Sequence, residues 1–338
     1  MYLKIMGEEP KEIFKNYESP FYVYLSLTNL CNANCSFCDV RLNKEKTNIL
    51  NVKSIINELS QLGTKYIHFT GGGEPFINDD IFDYLEFCTK KNIKIVLISN
   101  GLNLNEEKIK KLSKYNIVNF FFSIDSNNAE IHNELRRTKN LWEFATKNIN
   151  LIKKYMPHVN IILNHVINTK NIDDFSDFIK MKEYVFFDYI NPIVIKDCIE
   201  LFPNDEQIDN YSRNIQYYYN LAEKLNVKFL CHNIDFFSKK VESNGDRIYN
   251  GDLKCVYPSF CAFIDCPTGN VYPCDCSIHR DRDIYKIGNL IDNSFTEIWN
   301  GIKRKELKDK LINGKLNCKL KCDESNCLFN DKYFEREE

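Results

Sequence analysis

Between residues 22 and 190 six short aliphatic and aromatic runs alternate with longer segments of helical periodicity. Residues 22–28, 66–70, 93–98, 117–124, 159–167 and 184–190 read as strands. Residues 52–62, 81–90, 106–114, 141–155 and 172–181 read as helices between them. Neighbouring parallel strands must be joined by a crossover, and the usual crossover is a helix wound right-handed. Six such units predict an α/β fold built as a partial (β/α)6 barrel. A polar, turn-rich stretch at 238–251, containing Ser243-Asn-Gly-Asp246, ends it. The chain therefore divides into a barrel, residues 1–237, and a small cysteine-rich C-terminal domain, residues 238–338.

A parallel barrel gathers its chemistry at the C-terminal ends of its strands, where the following loops emerge together. Here the first strand runs into Cys31-Asn-Ala-Asn-Cys35-Ser-Phe37-Cys38. Three thiolates on one short loop can hold three irons of a [4Fe–4S] cube and leave the fourth iron open for chemistry. Structural zinc also takes closely spaced cysteines, but it is usually closed by a fourth Cys or His. The next cysteine is Cys88 and the next histidine His68. The second strand runs into Gly71-Gly72-Gly73-Glu74-Pro75. Glycine lets backbone approach a ligand closely, and a glutamate accepts from an ammonium group. Ser99-Asn100, Ser123 with Asp125, Asn164 and Asn191 fall at the ends of the remaining strands. Cys88 lies within an amphipathic helix and reads as a small core residue.

The cysteine spacing, with Phe37 before its last member, resembles the cluster loop of the radical S-adenosylmethionine (SAM) enzymes, whose core fold is the partial barrel. The resemblance implies a [4Fe–4S] cluster on Cys31, Cys35 and Cys38, with SAM chelating the open iron. One electron, from a donor such as a flavodoxin or ferredoxin, would then release a 5′-deoxyadenosyl radical. Gly72, Gly73 and Glu74 match the motif that contacts the SAM amino group. Ser123 and Asp125 match positions that contact its ribose or carboxylate, and Arg136 or Arg137 an arginine that pairs with the carboxylate. Phe37, Ser99, Asn100 and Asn164 complete the cofactor-binding set. A surface salt bridge or an ordinary strand-end polar residue is the alternative for each of these lesser positions.

Eight of the fourteen cysteines follow the boundary: Cys255, Cys261, Cys266, Cys274, Cys276, Cys318, Cys322 and Cys327. The first part reads as strand, turn, strand, with Gly269 in the turn. This tail resembles the auxiliary iron–sulfur domain called SPASM, or its shorter relative Twitch, in the C-x13-G-x4-C element formed by Cys255, Gly269 and Cys274. It departs from a full SPASM tail in having only three cysteines after position 300. The resemblance therefore implies at least one auxiliary [4Fe–4S] cluster on Cys255, Cys274 and members of Cys318, Cys322 and Cys327. Cys261 and Cys276 would complete a first cluster and release ligands for a second. A closed four-cysteine zinc site is the rival reading.

Charge is nearly balanced at −2, which favours neither nucleic acid nor an anionic membrane. The basic segment 303–321 is interrupted by Glu306 and Asp309 and reads as a solvated helix. No apolar stretch is long enough to span a bilayer, and the first residues mix charges without an apolar core. Abundant cysteine without an export signal points to metal ligation in a reducing cytoplasm. A long helix is expected over 206–226, its Tyr217-Tyr218-Tyr219 run serving as packing. The expected reaction is hydrogen abstraction from a substrate C–H bond, leading to oxidation or epimerisation. Cys198 and Cys231, outside both clusters, are the thiols able to return hydrogen, or else ordinary buried cysteines. Only thirty residues precede Cys31, short for a leader-binding domain, so a small polar metabolite is the expected substrate. A peptide or protein maturase is the alternative, and a non-catalytic iron–sulfur or zinc scaffold the alternative from another class.

Overall fold

A computed structural model describes residues 18–38, 50–70, 72–195, 198–230, 234, 237, 255–275, 277 and 282–314. Strands β1 (Tyr22–Ser26), β2 (Tyr66–Thr70), β3 (Lys94–Ser99), β4 (Ile117–Ser123), β5 (Asn160–Ile167) and β6 (Tyr189–Val194) lie in chain order, each parallel to the next. Between them run α1 (Val52–Gln61), α2 (Ile81–Lys90), α3 (Glu106–Leu112), α4 (Ala129–Leu135), α5 (Leu141–Tyr155) and α6 (Phe175–Lys180). Asparagine starts several of these helices: Asn51, Asn105 and Asn128 each accept a backbone N–H of the first turn, satisfying donors that the helix itself leaves open. Helix α1 buries Val52, Ile55, Ile56 and Leu59, one apolar stripe at helical spacing. Cys88 is fully buried in α2, as its pattern suggested.

Alternate residues of β4 serve two packing layers. Phe120 and Phe122 stack on each other at 4.7 Å, with Phe76 against Phe120, while Phe121 stacks on His68 at 5.4 Å. His68 in turn meets Tyr24, and its Nδ1 lies 3.1 Å from the Tyr22 hydroxyl. Burial on both faces explains why these strands are continuous apolar runs.

Besides α4, which the sequence pattern did not predict, two elements differ from the sequence expectation. The sixth strand begins at Tyr189, not 184. Tyr184 and Phe186 are half exposed, at 50% and 53%. Their backbone is held by Asn150, whose side-chain amide donates to Tyr184 O and accepts from Phe186 N. Aromatic residues there imitate a strand pattern, but a side chain has taken the place of the ladder. The helix expected over 206–226 breaks at Asn214 into α7 (Asp205–Arg213) and α8 (Ile215–Lys224), and a short β7 (Lys228–Phe229) adds a seventh parallel strand beside β6. Tyr218 is buried, as packing requires, and Tyr217 is half exposed.

The C-terminal region joins the same sheet. Strand β8 (Cys261–Asp265) pairs in parallel with β1, from Tyr22 opposite Cys261 to Ser26 opposite Asp265. A tight turn at Gly269, φ +75°, leads into β9 (Asn270–Tyr272), antiparallel to β8, and β10 (Gly288–Asn289) pairs with β9. The order is β10-β9-β8-β1-β2-β3-β4-β5-β6-β7, one sheet of ten strands. The predicted boundary at 238–251 lies outside the described residues. After a short α9 (Arg282–Tyr285) come α10 (Phe295–Asn300) and α11 (Ile302–Ile312), the former started by a Ser294/Glu297 capping box. They are fastened to the barrel. Glu58 of α1 accepts from Thr296, and the buried Arg304 donates to Trp299 O, Pro258 O and Glu18. No helix among the described residues is long and apolar enough to cross a membrane.

Candidate active site

Because β1 to β4 are parallel, the loops after them emerge on one edge and are forced into contact. The cysteine loop after β1 is gripped from two sides. On one side Gly72 N donates to Ser26 Oγ, Gly73 N to Thr28 O at 2.8 Å, and Glu74 N to Leu30 O at 2.9 Å. Backbone comes so close that a Cβ at Gly73 would stand 2.0 Å from Leu30 O. Glycine is therefore required there by contact rather than by turn geometry. On the other side the C-terminus of α4 supplies its unpaired carbonyls: Asn34 N donates to Arg136 O, and Ser36 N and Oγ to Leu135 O.

Within this grip Cys35 is buried, Cys38 half-buried and Cys31 exposed. The Cys31 sulfur accepts from Ala33 N at 3.4 Å and faces Asn100 Nδ2 at 3.9 Å, and the Cys35 sulfur accepts from an Arg136 guanidinium N–H at 3.7 Å. Although its surface is open to solvent, the protein packed around the Cys31 sulfur desolvates it and pushes the thiol up to about 11, with the Ala33 N–H opposing and the charges of Glu74, Cys35 and Cys38 adding to it. Burial also raises Cys35, against the pull of Arg136. Iron binding at these thiols would release protons. The donor set fits a [4Fe–4S] cube: three soft thiolates near enough to feel one another's charge, two of them already offered N–H donors. Among the described residues no three Cys, His, Asp or Glu side chains surround a single ion. A cube asks instead for three ligands on three separate irons.

Glu74 is buried beside the loop. Its Oε1 accepts from Ser99 Oγ and Phe76 N, and its Oε2 from Asn100 N at 2.8 Å. Burial pushes its carboxyl up to about 7, although those three donors and the Arg136 charge pull it down. Asn100 carries the connection back, donating to Asn32 Oδ1 at 2.7 Å, while Asn32 donates to Asn103. Across the sheet Ser123, Asn164 and Asn191 stand in register on β4, β5 and β6, with Asn191 donating to Asn164.

Asp125 and Arg136 form a buried pair. Arg136 Nε donates to Asp125 Oδ2 at 2.7 Å, and Val166 N donates to Asp125 Oδ1 at 3.1 Å. The backbone of Asp125 is pinned as well, its N–H donating to His132 Nδ1 and its carbonyl accepting from Asn171. Burial works against the Asp125 charge, yet Arg136 holds its carboxyl below the usual range. Burial likewise opposes the Arg136 charge, and Asp125 and Cys35 hold it up. Phe37 lies 5.6 Å from the guanidinium. Arg137, the alternative arginine, is exposed and ends α4 with φ +48°.

The structure thus brings together Cys31, Cys35, Cys38, Phe37, Gly72, Gly73, Glu74, Ser99, Asn100, Asp125 and Arg136 around one loop. Ser123 ends β4, but Asn164 and Asn191 lie inside β5 and β6, each three residues before the strand end, rather than at the strand ends that the sequence suggested. The register sets them level with Ser123 while their strands run on. Cys198 is half-buried just before a turn at Ile199–Leu201, beyond the end of β6. Cys231, Cys276, Cys318, Cys322 and Cys327 lie outside the described residues. Cys255 and Cys274 are half-buried near the N-terminal end of β8, the end opposite the cysteine loop. Cys261 is fully buried there, and the hairpin register counted two residues past Phe263–Tyr272 brings position 274 level with it. Cys266, which follows β8 directly, is fully buried in the core. Asn32, Asn103, His132 and Asn171 escaped the sequence reading. Asn32, between two cysteines, carried a signal by position, whereas the others are made relevant only by contact.

The chain matches the radical SAM superfamily over residues 25–181 and the SPASM iron–sulfur cluster-binding domain over residues 255–327. It is 26% identical to a cysteine-type anaerobic sulfatase-maturating enzyme of Clostridium novyi, over 86% of this chain and 81% of that one. It is 24% identical to an AdoMet-dependent heme synthase of Methanosarcina barkeri, over 83% and 82%. The mycofactocin maturase MftC of Mycolicibacterium smegmatis is also 24% identical, over 83% and 70%. Among solved structures, native anSMEcpe with bound AdoMet superposes with a TM-score of 0.65 at 20% identity, over 90% of this chain and 87% of that one. That likeness is one of fold.

Proposed function

The chain belongs to the radical SAM superfamily and carries a SPASM-type iron–sulfur domain, and on that footing we propose that it is a maturase that oxidises or crosslinks a side chain of a peptide or protein. The observation that carries this reading is its similarity, over most of its length, to a sulfatase-maturating enzyme and a mycofactocin maturase. The preference for a small polar metabolite is not supported by these relatives. It rested on the number of residues before Cys31, which does not decide the class of substrate.

When bound, the cluster and SAM supply one-electron chemistry able to remove hydrogen from an unactivated C–H bond. The rest is done by this chain. Cys31, Cys35 and Cys38 would each hold one iron, leaving the fourth for SAM. Glu74 would offer its one remaining lone pair, on Oε2, to the SAM ammonium, oriented in advance by Ser99, Asn100 and Phe76. Its carboxyl sits near neutrality when no cation is present, so an arriving ammonium draws off a proton and gains a full counter-charge. Ser123, Asn164 and Asn191, level with one another across β4, β5 and β6, carry hydroxyl and amide groups suited to ribose or to a substrate backbone. Cys255, Cys261 and Cys274, with ligands from Cys276, Cys318, Cys322 and Cys327, would hold auxiliary iron. An oxidising maturase needs an exit for the second electron, and that iron offers one.

The test uses anaerobically reconstituted full-length protein with SAM, a chemical reductant, and synthetic peptides translated from short reading frames beside its gene. Reductant-dependent 5′-deoxyadenosine formation matched by a peptide losing about 2 Da per event supports the proposal. Deoxyadenosine formation that no peptide accelerates, but a protein-free metabolite extract does, would overturn it.

A further inference from the structure

We propose that Arg136 is a positioning residue that works from behind the cysteine loop, donating to the Cys35 sulfur and raising the reduction potential of the cluster held there. This rests on the family assignment and is independent of the peptide reading.

Three observations carry it. The first is location. The Arg136 side chain is almost fully enclosed, and its guanidinium is committed on two sides, Nε to Asp125 at 2.7 Å and an end N–H to Cys35 Sγ at 3.7 Å. Little of it is offered to an incoming carboxylate. The second is rigidity. Asp125 is fully buried and tied by Val166 N, while its backbone is tied by His132 and Asn171. The guanidinium therefore has a fixed address. The third is coupling of main chain and side chain. The carbonyls of Leu135 and Arg136 hold Asn34 and Ser36, the two neighbours of Cys35. One helix end thus sets both where the sulfur lies and what charge it meets.

The physical consequence follows from how a cluster responds to its surroundings. Reduction adds negative charge that spreads onto the sulfurs, and a hydrogen bond from a cation stabilises that charge more than it stabilises the oxidised form. The groups just outside the ligands tune a metal site in this way. Asp125 limits the effect by neutralising much of the guanidinium charge, and the N–H donor remains.

The experiment is a spectroscopically monitored redox titration, without SAM, of anaerobically reconstituted full-length protein. It follows the signal that vanishes in the Cys31→Ala/Cys35→Ala/Cys38→Ala protein. Arg136→Gln is expected to make reduction at least tenfold less favourable, about 59 mV for a one-electron couple. Arg136→Lys, keeping the charge without the fork, should fall between glutamine and wild type. Iron and SAM binding are measured on the same samples. Midpoints equal to wild type in both variants, with SAM binding weakened, would overturn the proposal and return Arg136 to the SAM carboxylate. If Arg136→Gln retains too little iron to titrate, Arg136→Lys decides: a midpoint below wild type supports the proposal, and an unchanged one overturns it.

Discussion

The cysteine loop after β1 and the cysteine hairpin around β8 occupy opposite ends of the same sheet, and they are built by different means. The first is held by backbone: Gly73, Glu74, Asn34 and Ser36 all donate to carbonyls across tight loops. The second is placed by strand addition. Because β8 runs parallel to β1 with Cys261 opposite Tyr22, residues preceding Cys261 fall at the N-terminal edge of the sheet. The antiparallel β9 then carries Cys274 back to that same edge. At about 3.3 Å per residue, the length of β1 alone separates the two edges by about 13 Å. On the proposed reading, the catalytic loop and the auxiliary cysteines thus lie at opposite edges of one sheet.

If the two ends are independent, the largest effect should be confined to one of them. The Cys31→Ala/Cys35→Ala/Cys38→Ala protein is expected to lose about four irons per chain and all SAM cleavage while keeping its auxiliary iron. Loss of every iron would show that the two ends assemble together. Next comes Gly73→Ala. A Cβ 2.0 Å from Leu30 O forces the loop to move, costing about 3 kcal/mol. Thermal unfolding should show the loss, and iron should fall at the catalytic end first.

The hairpin end is sharpened by Arg304→Met. It leaves Trp299 O and Pro258 O without their buried donor and leaves Glu18 paired with Lys308 alone. The cost is expected to be about 2 kcal/mol, read by denaturant unfolding. Helix α11 also supplies Leu311 O to the backbone N–H of Cys255, so auxiliary iron should drop while SAM cleavage uncoupled from substrate persists. Equal loss at both ends would contradict the comparison.

The smallest effect concerns pH. Glu74 has a carboxyl raised to about 7 by burial. A raised carboxyl favours the folded state at low pH, and that contribution fades as pH climbs from the unfolded value toward 7. SAM binding should run the other way. If an ammonium needs the ionised carboxylate, affinity falls up to about tenfold for each pH unit below 7. Equilibrium dialysis against pH should show this slope, and Glu74→Gln should flatten it. A wild-type profile already flat from pH 5 to 8 would remove Glu74 from the ammonium site.

Much of this was legible before any coordinates. Local patterns set the strand and helix periods, and the C-x3-C-x2-C and Gly-Gly-Glu runs each lie within a few residues, so short-range spacing carries their chemistry. Where the reading slipped, a distant side chain had intervened. Asn150 took over the backbone of Tyr184 and Phe186, and delayed β6 to Tyr189. The two arginines in Glu-Leu-Arg-Arg were equivalent on the page. The left-handed turn at Arg137 and the buried Asp125 separated them.

The amino-acid sequence by itself determined that this is a parallel α/β barrel with a three-thiolate loop and a cysteine-rich tail, because periodicity and motif spacing are local properties of a chain. Tertiary structure alone decided that the tail's hairpin extends the barrel sheet through β1, that Arg136 stands behind Cys35, and that Glu74 is oriented by Ser99, Asn100 and Phe76. Those facts depend on which strands pair and which groups lose water, and both are set by contacts between residues far apart in the chain.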